Sequence, residues 1–410
     1  MRHHIFSILF YLMVTLLVAC TPVQQLENSS PSEAVHDDSA SSSDSLREAS
    51  QIIVPDTIPA VDLTKHSVAL EEVYFDTFQP TNRAVPLSDA DPVLIEQLRD
   101  AIPPIHSPAY EKADEATWLS EEDMVIGYAI GDKAWAYPVR ILNFHEIVNE
   151  HLGGDPLVIS YCPLCYSGVV FSRVLERDDG STQLVTFGNT SALYESDMVM
   201  LDYETGSYWW HVAGRAIVGE LTDAELTVLP SMTVPWAQWQ ELYPNTLVLS
   251  RNTGFQRDYS RDPFTDIAEY FNAGRFAFPV SEKALDPRLQ PGDEVLSVRV
   301  NNEVRAYPIA QGNSVAIGDT VGGEEIVVFI DPNQGSGAAF DPTVDRQTLT
   351  FEPSNARDSQ WRDTETGSHW TLAGRAVSGR LKGTELRQIP AKLSFWFAVV
   401  ASEPDIVVYQ

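Results

Sequence analysis

The chain repeats itself. Residues 125–138 (VIGYAIGDKAWAYP) are answered by 295–308 (VLSVRVNNEVRAYP), and Leu152-Gly153-Gly154 by Val321-Gly322-Gly323. Residues 161–171 (YCPLCYSGVVF) are answered by 330–340 (IDPNQGSGAAF), Glu204-Thr205-Gly206-Ser207 by Glu365-Thr366-Gly367-Ser368, and Ala213-Gly214-Arg215-Ala216 by Ala373-Gly374-Arg375-Ala376. The order is colinear throughout, which chance does not give. A repeat of this kind confines the fold to one unit used twice. The expected architecture is α+β, mainly β: two tandem copies of one β-rich domain with short helices, copy one over 101–252 and copy two over 279–410. Residues 253–278 form the inter-lobe connection.

Within copy one, short β-branched runs bounded by turn signals predict strands at 125–130, 134–138, 157–161, 169–175, 183–187 and 247–249. Residues 234–243 predict a short amphipathic helix stopped by Pro244. Residues 141–152 also have helical spacing: Ile141, Phe144, Ile147, Val148 and Leu152 form one stripe, closed by Gly153-Gly154. In copy two the matching stretch, 310–319, carries two Gly and no clear stripe, so it reads as a degraded helix.

The two copies also serve as a control on each other. Both keep the Gly, Pro, Trp and apolar positions, so the fold accounts for those. Copy two lacks the chemistry-bearing residues: Asp331 and Gln334 stand at Cys162 and Cys165, and Val315 stands at His145. The pair Cys162 and Cys165 lies on a Cys-Pro-Leu-Cys turn between two strands, a setting like the metal knuckles of zinc ribbons, although those close with a second Cys pair. His145 at the edge of the apolar stripe, with Asn149 one turn on, is the expected third ligand. A core histidine bonded to a backbone carbonyl is an equally common use of such a position. His151 and His211 are weaker candidates, and His106 and His369 read as loop or surface residues.

Two thiolates and an imidazole suit copper or zinc. Three ligands leave one position open, for which Glu146, Asp197, Met198, Met200 and Asp202 are in reach by sequence. The alternating run 197–201 makes the two Met core residues first, and Tyr208, Trp209 and Trp210 read as core too. Without metal, Cys162 and Cys165 make a dithiol/disulfide pair, with His145 assisting exchange. A third reading is a structural or binding protein with an inert local bridge. No serine-nucleophile elbow, phosphate-binding Gly loop or His-Glu-x-x-His is present.

The N-terminus reads as an address. A polar start, an apolar core over 5–18 and Leu17-Val18-Ala19-Cys20 resemble a bacterial lipoprotein signal peptide (1–20) with lipidation at Cys20. The Ser- and acid-rich stretch that follows predicts a disordered tether and lead-in over 21–100. Together these place the globular part in the cell envelope, outside the cytoplasm, anchored to a membrane through the N-terminal lipid. A net charge of −31 argues against nucleic acid as a partner; no protein partner is indicated. With Cys20 set aside, two of the 3 cysteines remain. Two thiols so close in sequence cannot crosslink distant parts of the fold.

Three long motifs, AYPVRILNFHEIVNEHLGG, YCPLCYSGVVF and DMVMLDYETGSYWWHVAGRAIVG, resemble the bacterial domain of unknown function 3179 family. RDYSRDPF and the FWF around Phe395 fit it as well, so the likeness runs from about residue 100 to the end. The resemblance implies an envelope or secreted setting and recurring polar positions at His145, Glu146, Asn149, Cys162, Cys165, Asp197, Asp202 and Ser207. The chain departs from the family pattern at Tyr166, where a small residue such as Gly is commoner.

Overall fold

A computed structural model describes residues 52–177, 179–309, 312–354 and 360–410. The expected signal peptide, Cys20 and the first part of the expected tether, 21–51, lie outside them. Among the described residues the fold is mainly β, with several sheets and five α-helices. No helix among the described residues is long and apolar enough to cross a membrane.

Three sheets hold the first part of the chain. The first runs Met232–Pro235, Met124–Ile130, Lys133–Pro138, Leu247–Leu249, Tyr110–Lys112, with Leu247–Leu249 parallel to Lys133–Pro138. The second runs Val228–Leu229, Ser167–Ser172, Asp155–Cys162, Ile147–Leu152. The third runs Arg215–Val218, Tyr208–Trp210, Asp197–Asp202, Phe187–Tyr194, and is extended by Val73–Asp76 and Ala84–Pro86. So residues 73–86, expected within the lead-in, complete a sheet: Val73 and Phe75, on a strand paired on both sides, are fully buried in the core beneath it.

The second part repeats four strands of each of these orders, without counterparts, among the described residues, of Tyr110–Lys112, Val73–Asp76 and Ala84–Pro86. Ala391–Phe395, Glu294–Val300, Glu303–Pro308, Val407–Val408 match the first four strands of the first sheet, again with Val407–Val408 parallel to Glu303–Pro308. Arg387–Ile389, Ser336–Asp341, Glu324–Asp331, Val315–Val321 match the second, and Ala376–Ser378, His369–Trp370, Trp361–Asp363, Phe351–Pro353 the third. Recurring motifs have recurring jobs. Gly214 and Gly374 both hold positive φ, and a Cβ on either would lie 2.7 Å from Phe171 or 2.5 Å from Phe340, closer than side chains pack.

The two parts interlock. One core joins Val125, Met232, Val234, Trp236 and Trp239 of the first part to Val327, Phe329, Phe340, Trp361 and Trp370 of the second. Another takes Phe395, Phe397 and Ala398 of the second part into the first part's third-sheet core, beside Cys162, Cys165, Phe171 and Trp209. The apolar faces of helices Trp236–Leu242 and Trp396–Ser402 are thus covered by both parts.

The expected helix over 141–152 is corrected. The helix is Val139–His145 and it stops at Glu146, whose φ of 58° is left-handed. Ile147–Leu152 then pairs antiparallel with Asp155–Cys162. The β-branched Ile147 and Val148 favour the strand, and sheet pairing overrides the helical spacing. The same holds in the second part, where Val315–Val321 is a strand. This moves the comparison by one residue. Val315 pairs with Ile330, the place where Glu146 O accepts from Tyr161 N at 2.7 Å. Val315 therefore replaces Glu146, and Ser314 replaces His145.

Candidate metal centre

The second sheet places the cysteines. Asp155–Cys162 and Ser167–Ser172 form a hairpin in register Cys162↔Ser167. The turn between them is tight: Cys165 N donates to Cys162 O at 3.2 Å and Tyr166 takes φ 52°. The second part uses Gly335 at φ 58° at the corresponding position. A non-Gly residue there costs of order 1 kcal/mol. The Tyr166 ring stacks on Phe395, centroids 5.3 Å apart and planes 16° from parallel, and this contact offsets the strain.

The turn aims both sulfurs at the third sheet. Cys162 Sγ lies 3.1 Å from Cys165 Sγ, outside bonding distance, and Cys165 Sγ lies 3.0 Å from Asp197 Oδ1. All three side chains are buried, and their ligand atoms lie within 4.8 Å of one another. Behind Asp197, His211 Nδ1 approaches Oδ1 at 3.3 Å, Val212 N donates to Oδ2 at 2.7 Å, and His211 Nε2 meets Ser160 Oγ at 3.1 Å. Asp197 and the imidazole are thereby fixed in orientation, as outer partners fix metal-ligating groups. Burial pushes both thiols above their ordinary pKa, and the negative charge of Asp197 adds to this. A cation placed among them would reverse the balance by favouring the thiolates.

Glu146 lines a cavity that Cys162 also borders. Its Oε2 accepts from Asn189 Nδ2 at 2.6 Å, and Asn189 in turn reaches Met198 Sδ at 3.7 Å. Burial, opposed by the Asn189 bond and assisted by the charges of Asp197 and Asp76, pushes Glu146 up to about 8. At neutral pH the carboxyl keeps its proton. The second part reaches in as well: Phe395 N donates to Cys165 O at 2.8 Å, and Lys392 Nζ donates to Val212 O at 2.7 Å.

His145 is placed elsewhere. Its Nδ1 meets Pro103 O at 2.7 Å and its Nε2 meets Tyr259 OH at 2.6 Å, so both ring nitrogens are occupied. Among the described residues the metal-ligating cluster is Cys162, Cys165 and Asp197, without His145. Burial lowers the His145 pKa to about 4, as befits a neutral core histidine. Asn149 ties two sheets together by accepting from Phe187 N at 2.9 Å and donating to Phe187 O at 2.7 Å. Asp202 and Ser207 build a turn that the second part reproduces. Trp209 Nε1 donates to Asp202 at 2.9 Å as Trp370 Nε1 does to Asp363, and Ser207 Oγ accepts from Leu221 N as Ser368 Oγ does from Leu381 N. Met198 and Met200 are core residues of a strand, as expected, and so are Tyr208, Trp209 and Trp210.

Ser160 was missed in the sequence, and His211 was ranked low. Their signal was in the repeat. In strand register Ser160 corresponds to Phe329, since Ile147 pairs with one and Ala316 with the other. Counting back from the matched Ala213 and Ala373, His211 corresponds to Thr371, and Gly214 N donates to His211 O as Gly374 N does to Thr371 O, both at 3.0 Å. The second part therefore lacks this polar chain, with Phe329 at the Ser160 position and no imidazole at the His211 position. Its residue at the Cys162 position, Asp331, is bonded by Gln238 at 3.4 Å and by Gln360.

A mainly β framework thus carries one buried dithiol–carboxylate cluster. The chain belongs to the family described as protein of unknown function (DUF3179), which it matches over residues 99–406. No curated protein and no solved structure matches it.

Proposed function

We propose that this is a lipid-anchored protein of the bacterial cell envelope, built from two copies of one unit, whose first copy holds a metal ion on Cys162, Cys165 and Asp197. The carrying observation is convergence. Glu146, Ser160, Cys162, Cys165 and His211, each replaced in the second part, meet around one buried point with Asp197. Two thiolates and a carboxylate fit zinc better than copper(I), because the hard oxygen adds little for a soft ion. Three protein ligands leave a fourth position, and the cavity beside Cys162 and Glu146 is where water or substrate would approach. Metal handling or a metal-dependent reaction follows from that open position. Zinc–sulfur bonds of about 2.3 Å in tetrahedral geometry put sulfurs ~3.8 Å apart, so loading would part the two thiols slightly.

Elemental mass spectrometry on protein purified without oxygen or a metal-affinity tag tests this. One metal per chain is expected in the wild type and in His145→Ala, and none in Cys162→Ser. Full metal content in Cys162→Ser and Asp197→Asn would refute the ligand set. The contact of the two sulfurs favours a second reading, a dithiol/disulfide oxidoreductase with Cys162 toward the cavity and Cys165 behind it. Metal-free protein whose two thiols oxidise reversibly to one disulfide would support that reading instead.

A further inference from the structure

The cavity over Cys162 has a definite chemical character. Its walls are Ile102, Leu164, Leu193, Ile267 and Phe278, and its volume is about 100 Å³. A water needs ~10–15 Å³ of such space, so the cavity matches a molecule of roughly seven to ten non-hydrogen atoms. Its one cationic side chain is already used. Arg83 is bidentate on Asp76, with Nη2 2.8 Å from Oδ2 and Nε 3.2 Å from Oδ1, and its guanidinium lies 5.2 Å over the Phe278 ring. An anionic ligand would meet no free positive charge there. A buried ammonium would find apolar walls in place of water, at high desolvation cost. At the inner end stand Cys162, Asn189 and Glu146. Asn189 is saturated, since its Nδ2 holds Glu146 and its Oδ1 accepts from Ser191 N at 2.6 Å. Glu146 keeps Oε1, which makes no hydrogen bond to the described residues. Of the other polar lining residues, Ser191 Oγ donates to Leu98 O at 2.8 Å and Thr265 Oγ1 to Asp262 O at 3.3 Å, and a mostly apolar chamber with a few polar groups is the common form of a small-molecule site.

We infer that this cavity binds a small uncharged organic molecule with an apolar body, seated with one hydrogen-bond-accepting end on the Glu146 carboxyl beside Cys162. Interlocking elements define the chamber. Its floor comes from the second and third sheets, and one wall from residues 263–278, which carry the helix Ile267–Asn272. The inference extends the metal-centre reading by naming what comes to the open side. The fit itself does not depend on a metal, so the two can fail separately.

Acetophenone, benzoate and benzylammonium, similar in size and different in charge, test the site by calorimetric titration of the purified full chain, with and without a chelator. Acetophenone is expected to bind one site per chain in both conditions, and at least tenfold more tightly than either ion. Ile267→Trp, which fills the chamber, is expected to abolish binding. Glu146→Leu is expected to weaken it about tenfold, the loss of one hydrogen bond, whereas Glu146→Gln, which keeps an N–H donor, retains most of it. Binding of benzoate or benzylammonium as tight as the ketone would overturn the ligand class. Ketone binding unchanged in both Ile267→Trp and Glu146→Leu would overturn the location. No binding by any of the three would overturn the site. Acetophenone binding only when metal is present would make the metal part of the recognition and overturn the claim that the chamber suffices.

Discussion

Glu146→Gln should make the metal-free protein more stable, and by an amount that depends on pH. In the fold the carboxyl is buried and titrates at about 8, against an ordinary value of 4.5. In the unfolded chain it is ionised above about 4.5. Between these values the folded state holds a proton that the unfolded state has released. Stability therefore falls as pH rises through that window, by ~1.4 kcal/mol per pH unit. The span from 4.5 to 8 corresponds to a penalty of about 5 kcal/mol above pH 8, and about 3 kcal/mol at pH 7. Gln carries no charge, and its carbonyl can still accept from Asn189. Urea unfolding of both proteins from pH 4 to 9 should give similar midpoints near pH 4 and a growing advantage for the variant above pH 5. Glu150, pushed up to about 7 by burial, adds a similar slope to both proteins and cancels in the difference. Parallel stability curves for the two proteins would refute the assignment of a neutral, desolvated carboxyl.

Two further substitutions probe the supports of the cluster. His211→Leu leaves Asp197 with fewer partners. A loss of ~1–3 kcal/mol in urea unfolding is expected, with weaker metal retention in a chelator competition; no change in either would remove His211 from the site. Phe395→Ala lies in the second part, yet it removes the ring stacked on Tyr166 and packed against Phe271. A loss of ~3–5 kcal/mol and faster reaction of Cys165 with a thiol reagent should follow, and a variant with wild-type thiol protection would show that the contact does not shield the turn.

Much of this was legible because local pattern and sheet pairing agree. The hairpin over 124–138, the Cys-Pro-Leu-Cys turn and the short helix at Trp236–Leu242 all follow from runs whose period matches their final setting. The stretch 141–152 misled because its apolar positions satisfy helical spacing, while its second half pairs as a strand. That error carried His145 toward the cysteines on paper, whereas the left-handed turn at Glu146 breaks the helix and leaves His145 bonded to Pro103 and Tyr259. Asp197 entered the set only as one of several carboxylates, because the distance between two sheets is not written in either strand. The repeat did carry the missing information at Ser160 and His211, whose counterparts are Phe329 and Thr371. It needed the strand register to be read at the right residue.

The shared cores tie the two parts to one another. The second part sets Phe395, Phe397 and Lys392 into the first part's interior and onto its cysteine turn. It serves the first part as a mould, held to its shape by what it packs against. Severed in two, the pieces would each present a half-built interior and would regain order only by finding one another, so that one polypeptide behaves as a dimer whose partners were never separated.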